Sequence, residues 1–168
     1  MPRDLVRKTL CPVTDLRREE AGCAHVHGLL DNWPDAQIKM HVIEHALHAR
    51  QARSALLFDG EYLPLEISGE RSDRAIAFAR KHGCAWAIAV VPRCLASMNA
   101  PVAGTLTGNE RRKFGQGTFQ SLPDDAPQSW TKVFAGREVR AISARKSRIS
   151  MGEAFAGFPM GALVPNRC

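Results

Sequence analysis

The feature that most constrains this chain is a series of short apolar runs that begins near Leu56. These runs are separated by turn signals at Asp59-Gly60, Ser68-Gly69, Lys81-His82-Gly83, Asp124-Asp125 and Ala135-Gly136. Short strands joined by closely spaced turns are typical of an antiparallel sandwich or barrel-like sheet. The sequence therefore predicts a mainly β fold, with an antiparallel β domain over residues 55–168.

Two β-hairpins are predicted within this domain. The pairs are residues 75–80 with 85–91 across His82-Gly83, and residues 130–134 with 139–142 across Gly136. Trp86, Ile88 and Val90 alternate with alanines, so these bulky side chains share one face of their strand. Pro64 restricts its own strand to a sheet edge or a bulge, because proline cannot donate a ladder hydrogen bond.

The other segments of the β domain are less regular. Residues 94–115 contain prolines, glycines and a charged run, and they predict a long loop. Residues 151–156 predict a short helix, and residues 162–164 predict a strand that closes the sheet.

The residues before the β domain predict one long amphipathic helix. Asp35 follows Pro34 and is the expected N-cap residue. Apolar residues follow the helical period, with Ile38, Val42, Ala46 and Ala49 on one stripe and Met40, Ile43 and Leu47 beside it. This pattern predicts a helix over residues 36–53. Residues 1–54 are therefore expected to form a helical N-terminal extension of the β domain.

Composition narrows the class of protein. The chain has 168 residues, lacks any run of about 18 apolar residues that could span a membrane, and begins without the apolar segment of a secretory signal. Its five cysteines are odd in number and form no CxxC pair, which favours reduced thiols. We therefore expect a cytoplasmic protein without a membrane partner.

The net charge of +6 raises the question of nucleic-acid binding. Basic residues concentrate late in the chain, at Arg137, Arg140, Arg145, Lys146 and Arg148. A basic patch attracts phosphates, but no aromatic residue interleaves with this cluster. A solvated basic face is the favoured interpretation.

Three histidines of the predicted helix are candidate metal ligands. His41, His45 and His48 are spaced i, i+4 and i+7 and therefore stack on one face. With Glu44, the first two resemble the inverted HxxEH zinc motif. A small metal-dependent enzyme is thus one alternative, but the further carboxylate ligand is not apparent, and a polar helix face is favoured.

Two tryptophans are candidate carbohydrate-binding residues. Trp33 precedes the helix and Trp130 opens a strand, which would leave each partly exposed and able to stack on a sugar ring. Packing is nevertheless the favoured role of both, and a core position is favoured for Trp86.

No catalytic residue or cofactor motif stands out. The early carboxylates Asp4, Asp15, Glu19 and Glu20 cannot be paired from sequence, although glycoside chemistry needs two carboxyls. No GxSxG elbow, phosphate loop or GxGxxG motif occurs. We therefore expect no catalytic residue and no cofactor.

Several segments follow one another in a recognisable order. They are Trp33-Pro-Asp35-Ala-Gln-Ile38-Lys39, Gly60-Glu-Tyr62-Leu-Pro64-Leu65, Phe78-Ala79-Arg80, Trp86-Ala-Ile-Ala-Val90-Val91-Pro92-Arg93, Trp130-Thr-Lys-Val133 and residues 153–163. Together they resemble the C-terminal region of the maltooligosyl trehalose synthase family, which belongs to glycoside hydrolase family 13 (alpha-amylase-like). The chain departs from the family pattern at Ala36 and Gln37, where glycine and arginine are usual, and at residues 115–117, where W-G-D is usual.

The resemblance implies a fold and a biological context. The β domain would be an antiparallel β-sandwich like the C-terminal domain of alpha-amylase family enzymes, and the helix over residues 36–53 would be the remnant of a barrel end. Such enzymes act in trehalose biosynthesis from maltooligosaccharides, as intramolecular transglucosylases that convert a reducing-end α-1,4 linkage to α,α-1,1. Their catalytic carboxylates lie on a (β/α)8 barrel, which needs about 200 residues or more.

The segment before the β domain is far too short for that barrel. We therefore expect a non-catalytic, stand-alone relative of the family's C-terminal domain, acting as a structural or interaction module or as part of a split enzyme. Its expected partner is a second copy or a barrel-containing protein, bound through the helix over residues 36–53. The alternative of an α-glucan-binding module would use maltooligosaccharide contacts at Trp33 and Trp130.

Overall fold

Antiparallel strands account for most of the regular structure of this protein. The computed structural model describes residue 26 and residues 28–30, 36–93, 117–143 and 146–166. Residue 26 and residues 28–30 are helical. The helices with both ends in these ranges are α1 (Gln37–Ala52), α2 (Ser54–Phe58) and α3 (Met151–Phe155), with a 3-10 turn at Ser72–Arg74. None of the helices in the described ranges is long and apolar enough to cross a membrane.

Ten strands occupy the described residues. They are β1 (Glu61–Leu65), β2 (Ile67–Ser68), β3 (Ala75–His82), β4 (Ala85–Pro92), β5 (Phe119–Ser121), β6 (Ser129–Lys132), β7 (Glu138–Arg140), β8 (Ile142–Ser143), β9 (Ser147–Ser150) and β10 (Gly161–Pro165). A six-stranded sheet has the order β1-β3-β4-β10-β6-β7, and a four-stranded sheet has the order β2-β5-β9-β8. The protein is thus mainly β, as predicted.

The two sheets are joined by continuous chain on both sides. Only Glu66 separates β1 from β2, and only Ala141 separates β7 from β8. At these crossings the Glu66 carbonyl accepts a hydrogen bond from Ser121 N–H, and Ala141 N–H donates to the Gln128 carbonyl. Each lateral edge is therefore one segment that leaves one sheet and enters the other.

The main core cluster combines residues of both sheets and of α3. Its buried members are Ala75, Ala77, Ala79, Trp86, Ile88, Val90, Leu122, Ala126, Trp130, Val139, Ile149, Met151, Ala154, Phe155 and Leu163. In the β3–β4 pair, Ala77 lies opposite Val90 and Ala79 opposite Ile88. Small residues of β3 thus make room for large residues of β4, and the prediction that Trp86, Ile88 and Val90 share a buried face is confirmed.

Both predicted hairpins are present. β3 pairs with β4 along its whole length, and β6 pairs with β7. Gly83 and Gly136 adopt positive φ in the two turns, at 59° and 65°, a conformation that glycine adopts without strain. The predicted strand around residues 162–164 is β10, which lies between β4 and β6 rather than at an edge.

The strand that contains Pro64 is an edge strand, as predicted. β1 pairs with β3 alone in its sheet. A Cβ added to Gly60, just before β1, would collide with the Leu56 carbonyl oxygen. Glycine therefore lets α2 approach the start of β1.

Helices α1 and α2 cover part of the outer face of the six-stranded sheet. Ile38 of α1 belongs to a second buried cluster with Phe134 and Phe158, and Ala162 on the outer face of β10 packs against it. Arg80, on the outer face of β3, donates a hydrogen bond of 2.8 Å to the Leu57 carbonyl of α2. The rest of that outer face is not covered by α1 or α2.

The start of α1 differs from the prediction. Its N-cap position is Ala36, without a side-chain hydrogen bond to the helix, while Asp35, the predicted N-cap residue, lies outside the described residues. Ala36 has φ 65°, and it is the only non-glycine residue with positive φ in the described ranges. The predicted loop over residues 94–115 lies outside these ranges.

Candidate functional site

The tryptophan candidates do not form an exposed sugar platform. Trp130 is 0% exposed in the main core, because β6 lies between β10 and β7 and directs this side chain inward. The partial exposure considered for Trp130 is therefore wrong, and its ring offers no face to a carbohydrate. Trp33 lies outside the described residues.

The histidine candidates do not converge on a metal ion, and one of them, His41, anchors α1. His41 is buried, and its Nε2 donates a 3.0 Å hydrogen bond to the Phe134 carbonyl. His45 Nδ1 donates a 2.9 Å hydrogen bond to the His41 carbonyl. A carbonyl oxygen only accepts, so both of these nitrogens carry a proton and cannot ligate a metal.

The histidine rings are also stacked against each other. The His41 and His45 ring centroids lie 4.0 Å apart with an interplanar angle of 35°, while His48 is exposed. Within the ranges that the structure describes, no group of three or more His, Cys, Asp or Glu is placed to hold a metal ion. The hydrogen bond of His41 thus attaches α1 to the turn after β6, while the contacts of His45 lie within α1.

Helix α1 carries a second apolar stripe that faces away from the core. Met40, Ile43 and Leu47 are 39%, 50% and 54% exposed. They are spaced i, i+3 and i+7 and therefore form one line along the helix. This line lies on the side of α1 opposite buried Ile38, so α1 is apolar on two sides.

The outer face of the six-stranded sheet carries a second group of exposed apolar residues. Tyr62, Ile76 and Val91 are 54%, 50% and 44% exposed. Ile76 lies opposite Val91 in the β3–β4 register, and the Tyr62 ring centroid is 5.1 Å from that of Phe78. These residues are neighbours on one face, because their sequence neighbours Ala77 and Val90 point into the core.

The two groups define the candidate functional surface, which we call the outer apolar surface. It consists of the α1 stripe and of the uncovered outer face of β1, β3 and β4. Its members are Met40, Ile43, Leu47, Tyr62, Ile76, Phe78 and Val91. Groups of exposed apolar residues of this kind mark interaction sites more often than isolated exposed apolar residues do.

Sequence analysis did not identify the sheet half of this surface. In β3 the alanines face the core, while the larger Ile76 and Phe78 face outward. The alternation of alanines with larger residues in β3 was a signal for this arrangement, because the bulky inward residues of β4 leave space only for small side chains opposite them. Interpreting this alternation requires the register between β3 and β4.

The perturbed carboxyl groups lie elsewhere on the surface. The hydrogen bond from Lys81 holds the pKa of Asp125 below its ordinary value. Hydrogen bonds from Ser129 and then from Arg140 lower the pKa of Glu138. Both carboxyls are exposed members of surface pairs, which is typical of structural ion pairs.

The described residues thus define a mainly β protein with two antiparallel sheets and with exposed apolar residues on α1 and on the outer face of the six-stranded sheet. Comparison with known proteins finds no relative, because no protein-family model, no curated protein and no solved structure matches the chain. The outer apolar surface is therefore the feature from which a function is inferred.

Proposed function

We propose that this protein is a non-catalytic β-sandwich module that binds a partner protein through its outer apolar surface. The observation that carries the proposal is the exposure of two groups of apolar residues, Met40, Ile43 and Leu47 on α1 and Tyr62 and Ile76 on the six-stranded sheet. These side chains contribute little to the stability of the isolated protein, yet each gains free energy when a partner removes it from water. The cytoplasm is the compartment that we propose.

The relationship to the C-terminal domain of maltooligosyl trehalose synthase is part of this proposal. It rests on the motifs given above and gains support from Ala36. This residue has φ 65°, a left-handed conformation that favours glycine, and glycine is the residue usual at this position of the family motif. A glycine at this position would adopt the observed backbone conformation without strain.

The partner that we propose is the catalytic barrel of such an enzyme, with this protein as part of a split enzyme. In the family, the helix that corresponds to α1 belongs to the barrel end, so its second apolar stripe would have a barrel to pack against. A second copy of this chain is the competing occupant of the same surface.

Binding can be tested with a barrel fragment of a maltooligosyl trehalose synthase that ends before the W-x-D-G-R-I-K motif. Calorimetric titration should show saturable binding to the wild-type protein and at least tenfold weaker binding to Ile43→Asp. Ile142→Asp, at an equally exposed isoleucine of the four-stranded sheet, is the matched control and should bind normally. Absence of binding by the wild-type protein contradicts the barrel as partner.

Two further measurements separate the remaining possibilities. A dimer in light scattering that Ile43→Asp converts to a monomer would identify a second copy as the occupant. Incubation of the isolated protein with maltopentaose should yield no trehalose-terminated product, and formation of that product would refute the non-catalytic assignment.

A second candidate function is α-glucan binding through Tyr62 and Phe78. It is favoured by the exposure of Tyr62 and by the 5.1 Å spacing of the two ring centroids. This pair of rings, instead of the buried Trp130, would then stack on the sugar. Calorimetry with millimolar maltooligosaccharides tests it, with Tyr62→Ala as the variant that should lose the heat signal. No heat from the wild-type protein ends this candidate.

A further inference from the structure

The core contains polar side chains that the described residues leave without a partner. Thr118, Gln120 and Trp130 are each 0% exposed. Thr118 Oγ1, both amide atoms of Gln120 and Trp130 Nε1 have no hydrogen-bond partner among the described residues. Buried polar groups are nearly always hydrogen-bonded in folded proteins, to protein or to ordered water.

These groups share one interior. Gln120 lies opposite Ile149 in the β5–β9 register, so both side chains lie on the same face of the four-stranded sheet. Ile149 and Trp130 belong to the same core cluster. Thr118 is two residues from Gln120 and is equally buried, so the two polar residues of this segment enter the core together.

We propose that the core holds ordered water bound by Gln120, Thr118 and Trp130. The Trp130 N–H donates to the water oxygen, and water donates to the amide oxygen of Gln120. The Gln120 amide N–H and the Thr118 hydroxyl supply further donors and acceptors, so that water finds the two to four partners typical of a buried site. These three side chains carry no charge, which suits water better than an ion.

The site would link the two sheets. Gln120 is in β5 of the four-stranded sheet, and Trp130 is in β6 of the six-stranded sheet. Hydrogen bonds are directional, whereas apolar contacts are not. Hydrogen bonds to this water therefore add a directional link between the two sheets inside the apolar cluster.

Water-to-protein NOE spectroscopy on the 15N-labelled wild-type protein tests the proposal directly. The Trp130 indole N–H is assigned by its loss in Trp130→Phe, and the Trp86 indole serves as an internal reference, because it is not among the unpartnered buried groups. We expect a cross-peak between Trp130 Hε1 and water, with opposite signs in the laboratory-frame and rotating-frame spectra. Its absence overturns the proposal.

A substitution provides the second arm of the test. Gln120→Met keeps the length of the side chain and removes both polar atoms, so the water loses partners and the cross-peak weakens. The melting temperature should then fall by about 2–4 °C, the shift expected per lost hydrogen bond in a chain of this size. A rise instead would show that the amide was simply unsatisfied, and would overturn the proposal.

A matched variant controls for the introduced methionine. Leu122→Met changes an apolar member of the same core cluster and should leave the Trp130 water cross-peak intact. Loss of the cross-peak in this variant as well would show that it does not depend on Gln120, and would count against the assignment.

Discussion

Both faces of the six-stranded sheet carry large apolar residues, but in opposite environments. Ile88 on the inner face is 2% exposed, whereas Ile76 on the outer face of the adjacent strand is 50% exposed. The inner face meets the four-stranded sheet and α3, while the outer face is only partly covered by α1 and α2. Apolar residues on the inner face therefore stabilise the fold, and those on the outer face remain available for a partner.

The largest expected difference in the free energy of unfolding is between alanine variants of these two isoleucines. Ile88→Ala should lower the free energy of unfolding by about 2–5 kcal/mol, because it leaves a cavity in a closed core. Ile76→Ala should lower it by about 1 kcal/mol or less, because half of this residue is already exposed to water. Urea unfolding followed by tryptophan fluorescence measures both. Equal losses in the two variants would show that the outer face is part of the core.

The next largest effect on the free energy of unfolding concerns the hydrogen bond that attaches α1 to the turn after β6. His41→Ala should lower the free energy of unfolding by about 1–3 kcal/mol, because the buried Phe134 carbonyl loses its donor. His48→Ala, an exposed histidine of the same helix, should stay within about 0.5 kcal/mol of the wild type. The same urea titration applies, and a neutral His41→Ala would mean that α1 is attached by apolar contacts alone.

A smaller effect of opposite sign is expected at the start of α1. Ala36→Gly should raise the free energy of unfolding by about 0.5–1 kcal/mol, because glycine adopts the left-handed conformation without the penalty that a Cβ imposes. Ala46→Gly, inside the same helix, should lower it by about 1 kcal/mol. Thermal unfolding by circular dichroism compares the two variants. A destabilised Ala36→Gly would contradict the positive φ.

The smallest effect is electrostatic. The hydrogen bond from Lys81 lowers the pKa of Asp125, so this pair contributes stability above the unfolded-state pKa of about 3.9 and loses it as the pH falls through the lower folded-state value. In Lys81→Met the pKa of Asp125 should return towards its ordinary value. NMR titration of the Asp125 carboxyl carbon measures it, and an unchanged pKa would mean that Lys81 is not its partner.

Local patterns predicted the parts of the fold that depend on neighbouring residues. The β3–β4 hairpin follows from two apolar runs and a glycine turn, and the buried face of β4 follows from the alternation of Trp86, Ile88 and Val90. Both features are set by contacts close in sequence, where side-chain period and turn chemistry act together.

Other features depend on residues far apart in sequence. β10 pairs with β4 and β6, and this placement buries Trp130, which sequence position alone suggested to be partly exposed. The inward alanines of β3 and the outward Ile76 likewise follow from the register with β4. The outer apolar surface could not be predicted for the same reason, because it exists only once these strands and α1 are assembled.

The most direct test of the central claim is a methyl NMR titration with the barrel fragment. The isoleucine δ-methyl signals of Ile43 and Ile76 should shift or broaden on addition of the fragment, while those of buried Ile88 should not. Ile142 is equally exposed, at 49%, but lies on the four-stranded sheet and should also stay unchanged. Changes at Ile142 without changes at Ile43 and Ile76, or no change at any isoleucine, would contradict the account.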